Sequence, residues 1–251
     1  VGPKREKRSF NILMSGGSAV RVSILFDNFS HDKRFKAGWG FSALLEVEGK
    51  RILFDTGPHL PEAVLKSLKV NLREIDAVVI SHLHQDHYGG VEELLIHAPG
   101  ISLYAPGPIP PDLKASWQLL STLNDVREPL ILGERVWLTG PIGTKVPEMA
   151  LLAQTPKGLL MLVGCAHPGI VELARRSVQI TGKSPDIIVG GLHLMGLRPR
   201  KIRQVAEELK LIGVKRITGC HCTGKAAIKV LREVMGPVVT RGGIGKTEEF
   251  S

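Results

Sequence analysis

Between the apolar run Ala77-Val78-Val79-Ile80 and the pair Gly89-Gly90, the chain packs three imidazoles and a carboxylate into Ser81-His82-Leu83-His84-Gln85-Asp86-His87. A short apolar run that ends in turn residues reads as a buried strand. On the extended segment that follows, His82 and His84 lie on one side at i, i+2, where two imidazoles can share one metal ion. Asp86 and His87 come next on the turn, within reach of a second ion. Low-complexity histidine tracts lack both the strand before and the glycine break after. The segment is therefore read as a metal site, and the fold has to deliver further ligands to it.

The surrounding pattern is that of a layered α/β fold. Strands are predicted over 21–26, 41–47 and 51–54, with Glu48-Gly49-Lys50 turning the second into the third as a hairpin. Pro61 opens a short helix to about Leu68, a helix follows Gly89-Gly90 over 91–96, and a strand returns over 101–104. The stretch from Pro106 to Leu130, with Pro108, Pro110 and Pro111, is the least regular and is expected to be a loop over the site. Further strands are predicted over 134–138, 149–153, 159–163, 187–189 and 216–218. Ile202, Val205, Ala206 and Leu209, and again Ala227, Val230, Leu231 and Val234, step at helical spacing, so each helix offers one apolar face to a sheet. The expected fold class is α/β: two mixed sheets with helices outside, forming one domain over 19–251, preceded by a basic, mobile arm over 1–18.

Composition narrows the functional classes. A chain of 251 residues, 43% of them hydrophobic, has ample material for a core. It contains no apolar stretch near the roughly 20 residues of a membrane span and no signal-peptide pattern at its start, so a cytoplasmic location without a membrane partner is expected. Three cysteines, Cys165, Cys220 and Cys222, are too few for a disulfide framework. Cys220 and Cys222 flank His221 on the opposite face and are read as core packing. The net charge of +9 suits a polyphosphate partner, but part of it sits in the N-terminal arm and part on helix faces. A small anionic substrate accounts for it as well as nucleic acid does.

The His-x-His-x-Asp-His turn, preceded by Phe54-Asp55-Thr56-Gly57, resembles the metallo-β-lactamase superfamily. Gly164-Cys165-Ala166-His167-Pro168-Gly169-Ile170, Gly190-Gly191-Leu192-His193-Leu194 and His221-Cys222-Thr223-Gly224 extend the resemblance, in that order, over about residues 20 to 250. Together they are similar to the branch containing the archaeal dihydropterin–aminobenzene ribofuranosyl phosphate synthases. The resemblance implies an αβ/βα sandwich and two divalent ions, zinc first, with manganese or iron as alternatives. It places one ion on His82 and His84, and the other on Asp86, His87 and His221, with water between them. A further histidine and a bridging aspartate of the superfamily pattern are missing, and Cys165 stands where the aspartate is expected. His167, two residues on, is taken as the ligand in preference to Cys165, since a thiol must first lose its proton.

Other residues complete the expected site. Asp55 either orients a ligand histidine or caps the hairpin turn. His193, at the mouth of a strand, is a candidate general acid or hydrogen-bond donor, with a core histidine as the alternative. Thr223, Gly224 and Lys225 open a helix whose free N–H groups favour an anion, with ordinary capping by Thr223 as the alternative reading. Asn28 and His31 are placed on the opposite wall. The function expected is that of a metal-dependent hydrolase or transferase acting on a phosphate- or diphosphate-bearing small molecule. Condensation of a dihydropterin-methyl diphosphate with an arylamine is the form that the resemblance implies. The alternatives are a hydrolase of esters, lactones or thioesters, or a nuclease. The nuclease is disfavoured because no clamp-sized insertion is visible.

Overall fold

A computed structural model describes residues 19–251; the N-terminal arm expected over 1–18 lies outside them. The first half runs β1 (Val20–Phe26), β2 (Ser42–Val47), β3 (Lys50–Phe54), α1 (Glu62–Ser67), β4 (Ala77–Val79), α2 (Gln85–Tyr88), α3 (Val91–His97), β5 (Ile101–Pro106), α4 (Pro111–Leu120) and β6 (Ser121–Val126). The second runs β7 (Leu130–Gly133), β8 (Val136–Leu138), β9 (Leu151–Thr155), β10 (Gly158–Val163), α5 (Ile170–Thr181), β11 (Ile187–Gly191), α6 (Pro199–Ile212), β12 (Arg216–Cys220), α7 (Lys225–Met235), β13 (Val239–Arg241) and β14 (Thr247–Phe250).

These strands make two seven-stranded mixed sheets, ordered β14-β1-β2-β3-β4-β5-β6 and β13-β12-β11-β10-β9-β8-β7. In each, an antiparallel part gives way to a parallel one, at β3–β4 in the first and at β10–β11 in the second. The inner faces meet in one apolar layer, with Val22, Leu45 and Phe54 against Leu151, Leu160 and Val189. The outer faces are covered by helices: Val64, Leu94 and Trp117 pack on the first sheet, and Leu173, Ala206 and Leu231 on the second. Strands covered on both faces have no polar side to show, which is why 77–80 and 159–163 read as unbroken apolar runs.

Two expectations need correction. The segment 106–130 is not a loop over the site: Pro110 and Pro111 begin α4, whose buried Trp117 packs beside Tyr88, and β6 then pairs in parallel with β5 at the sheet edge. Proline at the first helical position is favoured because no N–H is lost there, so the prolines mark a helix start and not irregular chain. The strand expected over 134–138 is a hairpin, β7–β8, with Glu134 and Arg135 in its turn. No helix among the described residues is long and apolar enough to cross a membrane.

Candidate metal centre

In parallel sheets the loops at the carboxyl ends of neighbouring strands open onto one crevice. The histidine turn leaves β4, the Cys165–His167 loop leaves β10, His193 follows β11 and His221 follows β12. These four loops bring the six expected ligands together. His82 Nε2 lies 3.1 Å from His84 Nδ1 and 3.2 Å from His167 Nε2. Beside this triad, His87 Nε2 and His221 Nε2 are 3.3 Å apart, with Asp86 Oδ2 at 3.3 Å from the His221 atom and 3.7 Å from the His87 atom.

The hydrogen bonds behind the rings fix which nitrogen carries the proton. Asp55 Oδ2 accepts from His87 Nδ1 at 2.7 Å. Asn28 Oδ1 accepts from Gly40 N and, at 2.9 Å, from His221 Nδ1. Both rings therefore turn a bare Nε2 into the same space, and two lone pairs have no hydrogen bond to make with each other. A cation between them removes the conflict. His82 follows the same logic: Ser81 Oγ donates to Asp55 Oδ2 and accepts from His82 Nδ1, leaving His82 Nε2 bare. Imidazoles and a carboxylate in this arrangement fit divalent transition ions.

Titration follows from burial and neighbours. Burial pushes His82 well below its usual range, with the adjacent histidines adding to the effect. His84 is lowered chiefly by burial, and His167 falls to about 4 through burial and then the proximity of His193 and His84. For His87, burial works against the charged form, but Asp55 overcomes it and the group is raised. Asp86 sits at about 2: its burial is outweighed by the hydrogen bond to His221 and the charge of His87. His193 is raised by its hydrogen bond to Cys222. The Cys165 thiol is pushed up by its contact with Cys222 and by burial.

Backbone strain gathers at the same place. Four of the six non-glycine residues with left-handed backbone among those described are Asp55, Ala166, His193 and His221, all just past strand ends. Such conformations persist where the surroundings over-determine them, and here hydrogen bonds do so. Glu148, wholly buried, accepts from the backbone N–H groups of Cys165, Ala166 and His167, each at 2.8 Å. Asp27 Oδ1 accepts from His221 N at 2.8 Å. Gly164 is required by close approach, since a Cβ there would lie 2.1 Å from Ser81 Oγ.

Of the remaining expectations, Asp55 touches both Ser81 and His87 and so stands behind both triads. Asn28, Gly224 and Lys225 line one cavity with His221. Thr223 needs correction: its buried hydroxyl accepts from Leu192 N and donates to Gly190 O, so it neither caps α7 nor faces a ligand. Cys220 lies in the core, whereas Cys222 is buried against the site, close to Cys165 and the exposed His193. His31 is exposed. Sequence reading missed Glu148, Asp27, Ser81 and Trp39, whose ring packs edge-on against His221 at 4.9 Å between centroids. A lone glutamate in the run Val146-Pro147-Glu148-Met149-Ala150-Leu151, and an aspartate ending an apolar strand at Asp27 as at Asp55, were the available signals.

A family model described as the metallo-beta-lactamase superfamily matches residues 38–149. Over 92% of this chain and 97% of the relative, the sequence is 28% identical to the 7,8-dihydropterin-6-methyl-4-(beta-D-ribofuranosyl)-aminobenzene-5'-phosphate synthase of Methanocaldococcus jannaschii. An uncharacterized protein of the same organism is 29% identical over 90% of this chain and 98% of its own. Among solved structures, a metal-dependent hydrolase of the beta-lactamase superfamily superposes with a TM-score of 0.74 at 22% identity, covering 92% of this chain and 99% of that one. A likeness at that identity establishes a shared fold, not a shared substrate. The chain thus has the fold of that structure, its histidine turn lies within the stretch that the superfamily model matches, and the similarity to the synthase supports a metal-dependent enzyme.

Proposed function

We propose that this enzyme acts on small molecules bearing phosphate or diphosphate, with His82, His84 and His167 holding one divalent ion and Asp86, His87 and His221 the other. Zinc is the ion put first, with manganese and iron as alternatives. The observation that carries the substrate class is a cavity of about 410 Å³ that opens at His221. Its lining includes apolar Phe29, Leu194 and Ile202, while Lys225 and the start of α7 add a cation and backbone N–H groups. A flat organic body with an anionic group fits such a lining. The first N–H groups of a helix have no partner within it and, with the helix dipole, favour phosphate.

When bound, divalent ions supply positive charge for a leaving phosphate and lower the pKa of coordinated water. The chain's own residues do the rest. Asp55, Asn28 and Ser81 hold the ligand rings in one tautomer, Lys225 holds the anionic end, and exposed His193 is placed to pass a proton between a reacting oxygen and solvent. The named relative supports a specific form: the arylamine nitrogen bonds to the pterin methylene carbon, the C–O bond to diphosphate breaks, and the amine loses a proton. The test is to follow a pterin-methyl diphosphate with the metal-loaded protein, with and without an arylamine. Faster consumption with the amine supports condensation, and equal consumption supports hydrolysis. Turnover of lactones or thioesters far above any phosphate compound would overturn the substrate class and leave a general metallo-hydrolase.

A further inference from the structure

We infer that Cys165 is a ligand shared by both ions, its thiolate sulphur bridging the two seats. This rests on reading the two triads as metal seats. Cys165 Sγ lies 3.4 Å from His87 Nε2 and falls into three donor clusters, one with His193 and Cys222 and two that draw on the triads, with His82 and His167 and with His87 and His221. Within each cluster all donor atoms lie within 4.8 Å of one another, and Cys165 is the one member that the two triad clusters share. The sulphur is thus within donor distance of histidines from both triads.

That position is built into the fold. The Cys165 amide is held by Glu148, the preceding Gly164 is wedged against Ser81 and Asp55, and Cys222 Sγ donates to the Cys165 carbonyl at 3.5 Å. At 4% exposure the side chain has little freedom to turn to solvent. A thiol that coordinates a divalent cation is deprotonated outright. One S–H bond is lost, the proton leaves to solvent past exposed His193, and the sulphur lone pairs form two bonds, one to each ion. A soft donor shared by both seats favours zinc, cobalt or ferrous ions over manganese, a bias that imidazole and carboxylate alone do not impose.

Cobalt(II) titration of the metal-free protein at pH 8 tests this, because thiolate bound to cobalt gives charge-transfer absorption in the near ultraviolet. The band is expected to grow through both equivalents. Cys165→Ser should abolish it while histidine-bound cobalt remains visible. Binding should weaken by more than the roughly 10- to 100-fold that loss of a ligand's hydrogen-bond partner costs. Cys165→Asp, a carboxylate able to bridge, should hold two ions without the band, which guards against misfolding of the serine variant. Cys222→Ser should keep the band. His84→Ala and His221→Ala, each lacking one seat, should each bind one cobalt and still show it. Two bound cobalt ions without the band, or a band that survives Cys165→Ser, overturns the proposal. A band missing from either single-seat variant makes the sulphur a terminal ligand and overturns the bridge. Failure to bind any cobalt overturns the two-seat reading itself, and so is distinguished from failure of the bridge alone.

Discussion

The two donor triads are made of the same chemistry but are held differently. In the triad of Asp86, His87 and His221, both rings have their far nitrogen fixed, by Asp55 and by Asn28, and both are buried. In the triad of His82, His84 and His167, only His82 is anchored, through Ser81 to Asp55. Among the described residues the rings of His84 and His167 hydrogen-bond to His82 alone, and His84 is exposed. Fixed ligand rings lose less freedom when a metal arrives, and outer partners also raise ligand basicity. On the proposed two-ion reading, the first triad is a preorganised seat and the second a looser one. At pH 8 the first ion should enter the Asp86 seat, and a chelator should strip the His84 seat first.

Asp55 is where the two seats join, so its removal should have the largest effect. Its carboxylate accepts from Ser81 N, Ser81 Oγ and His87 Nδ1, all in the buried interior. Asp55→Ala leaves these donors unpaired and is expected to cost about 3–5 kcal/mol of stability, as breaking a buried pair does, and to empty both seats. Urea unfolding and metal analysis check this. Loss of one ion only would show that the seats do not share a support.

Asn28→Ala separates the seats. It removes the acceptor behind His221 and leaves the His82 triad untouched, so affinity should fall by roughly 10- to 100-fold in one seat alone. Isothermal titration with zinc reads this as a change in one of two binding steps. Equal weakening of both steps would mean that the seats are coupled more closely than their hydrogen bonds suggest.

The same contrast explains what the sequence could show. The first sheet delivers its ligands in one heptad after β4, and a local pattern of that kind is legible without any fold. The second sheet delivers Cys165 and His167, His193 and His221 one loop at a time, from strand ends 20 to 30 residues apart in sequence. Their meeting depends on parallel strand order, which no window of sequence contains, and only the resemblance to a family joined them. Glu148 and Asp27 escaped because they act through backbone N–H groups. A carboxylate used in that way has no spacing to betray it. The prolines of 106–111 misled for the opposite reason: a strong local signal was read as a loop over the site when it marked a helix start.

Acidification should act on the two seats unequally. His82, His84 and His167 lie below the ordinary value of 6.5, so in the folded metal-free protein they stay neutral to lower pH. The unfolded chain binds more protons in that window, so stability rises with pH there. These three groups withdraw stability as pH falls from 6.5 towards about 4, the value for His167. His87 has the opposite sign: raised by Asp55, it adds stability below 6.5 that is lost as pH rises through its folded value. With three groups against one, melting of the metal-free protein should fall between pH 6.5 and 4. The ion in the His87 seat has the extra proton to displace, so its lead over the other seat should narrow as pH drops. Titrations at pH 8 and pH 6 that keep the same ratio of affinities would break this account.

Lys225 offers the smallest and most selective test, because it touches the cavity and neither seat. It is exposed at the first position of α7 and faces the same space as Asn28 and His221. An exposed charge pair contributes up to about 1 kcal/mol, so Lys225→Ala should raise KM for a phosphorylated substrate by roughly fivefold. Since the lysine binds substrate and transition state about equally, kcat should hold nearly constant. Metal content should stay at the wild-type level, and KM for a neutral lactone or thioester should not move. A fall in kcat with KM unchanged would place Lys225 at the reacting bond instead of the anionic end. An equal effect on charged and neutral substrates would mean that the residue supports the shape of the cavity and does not recognise phosphate.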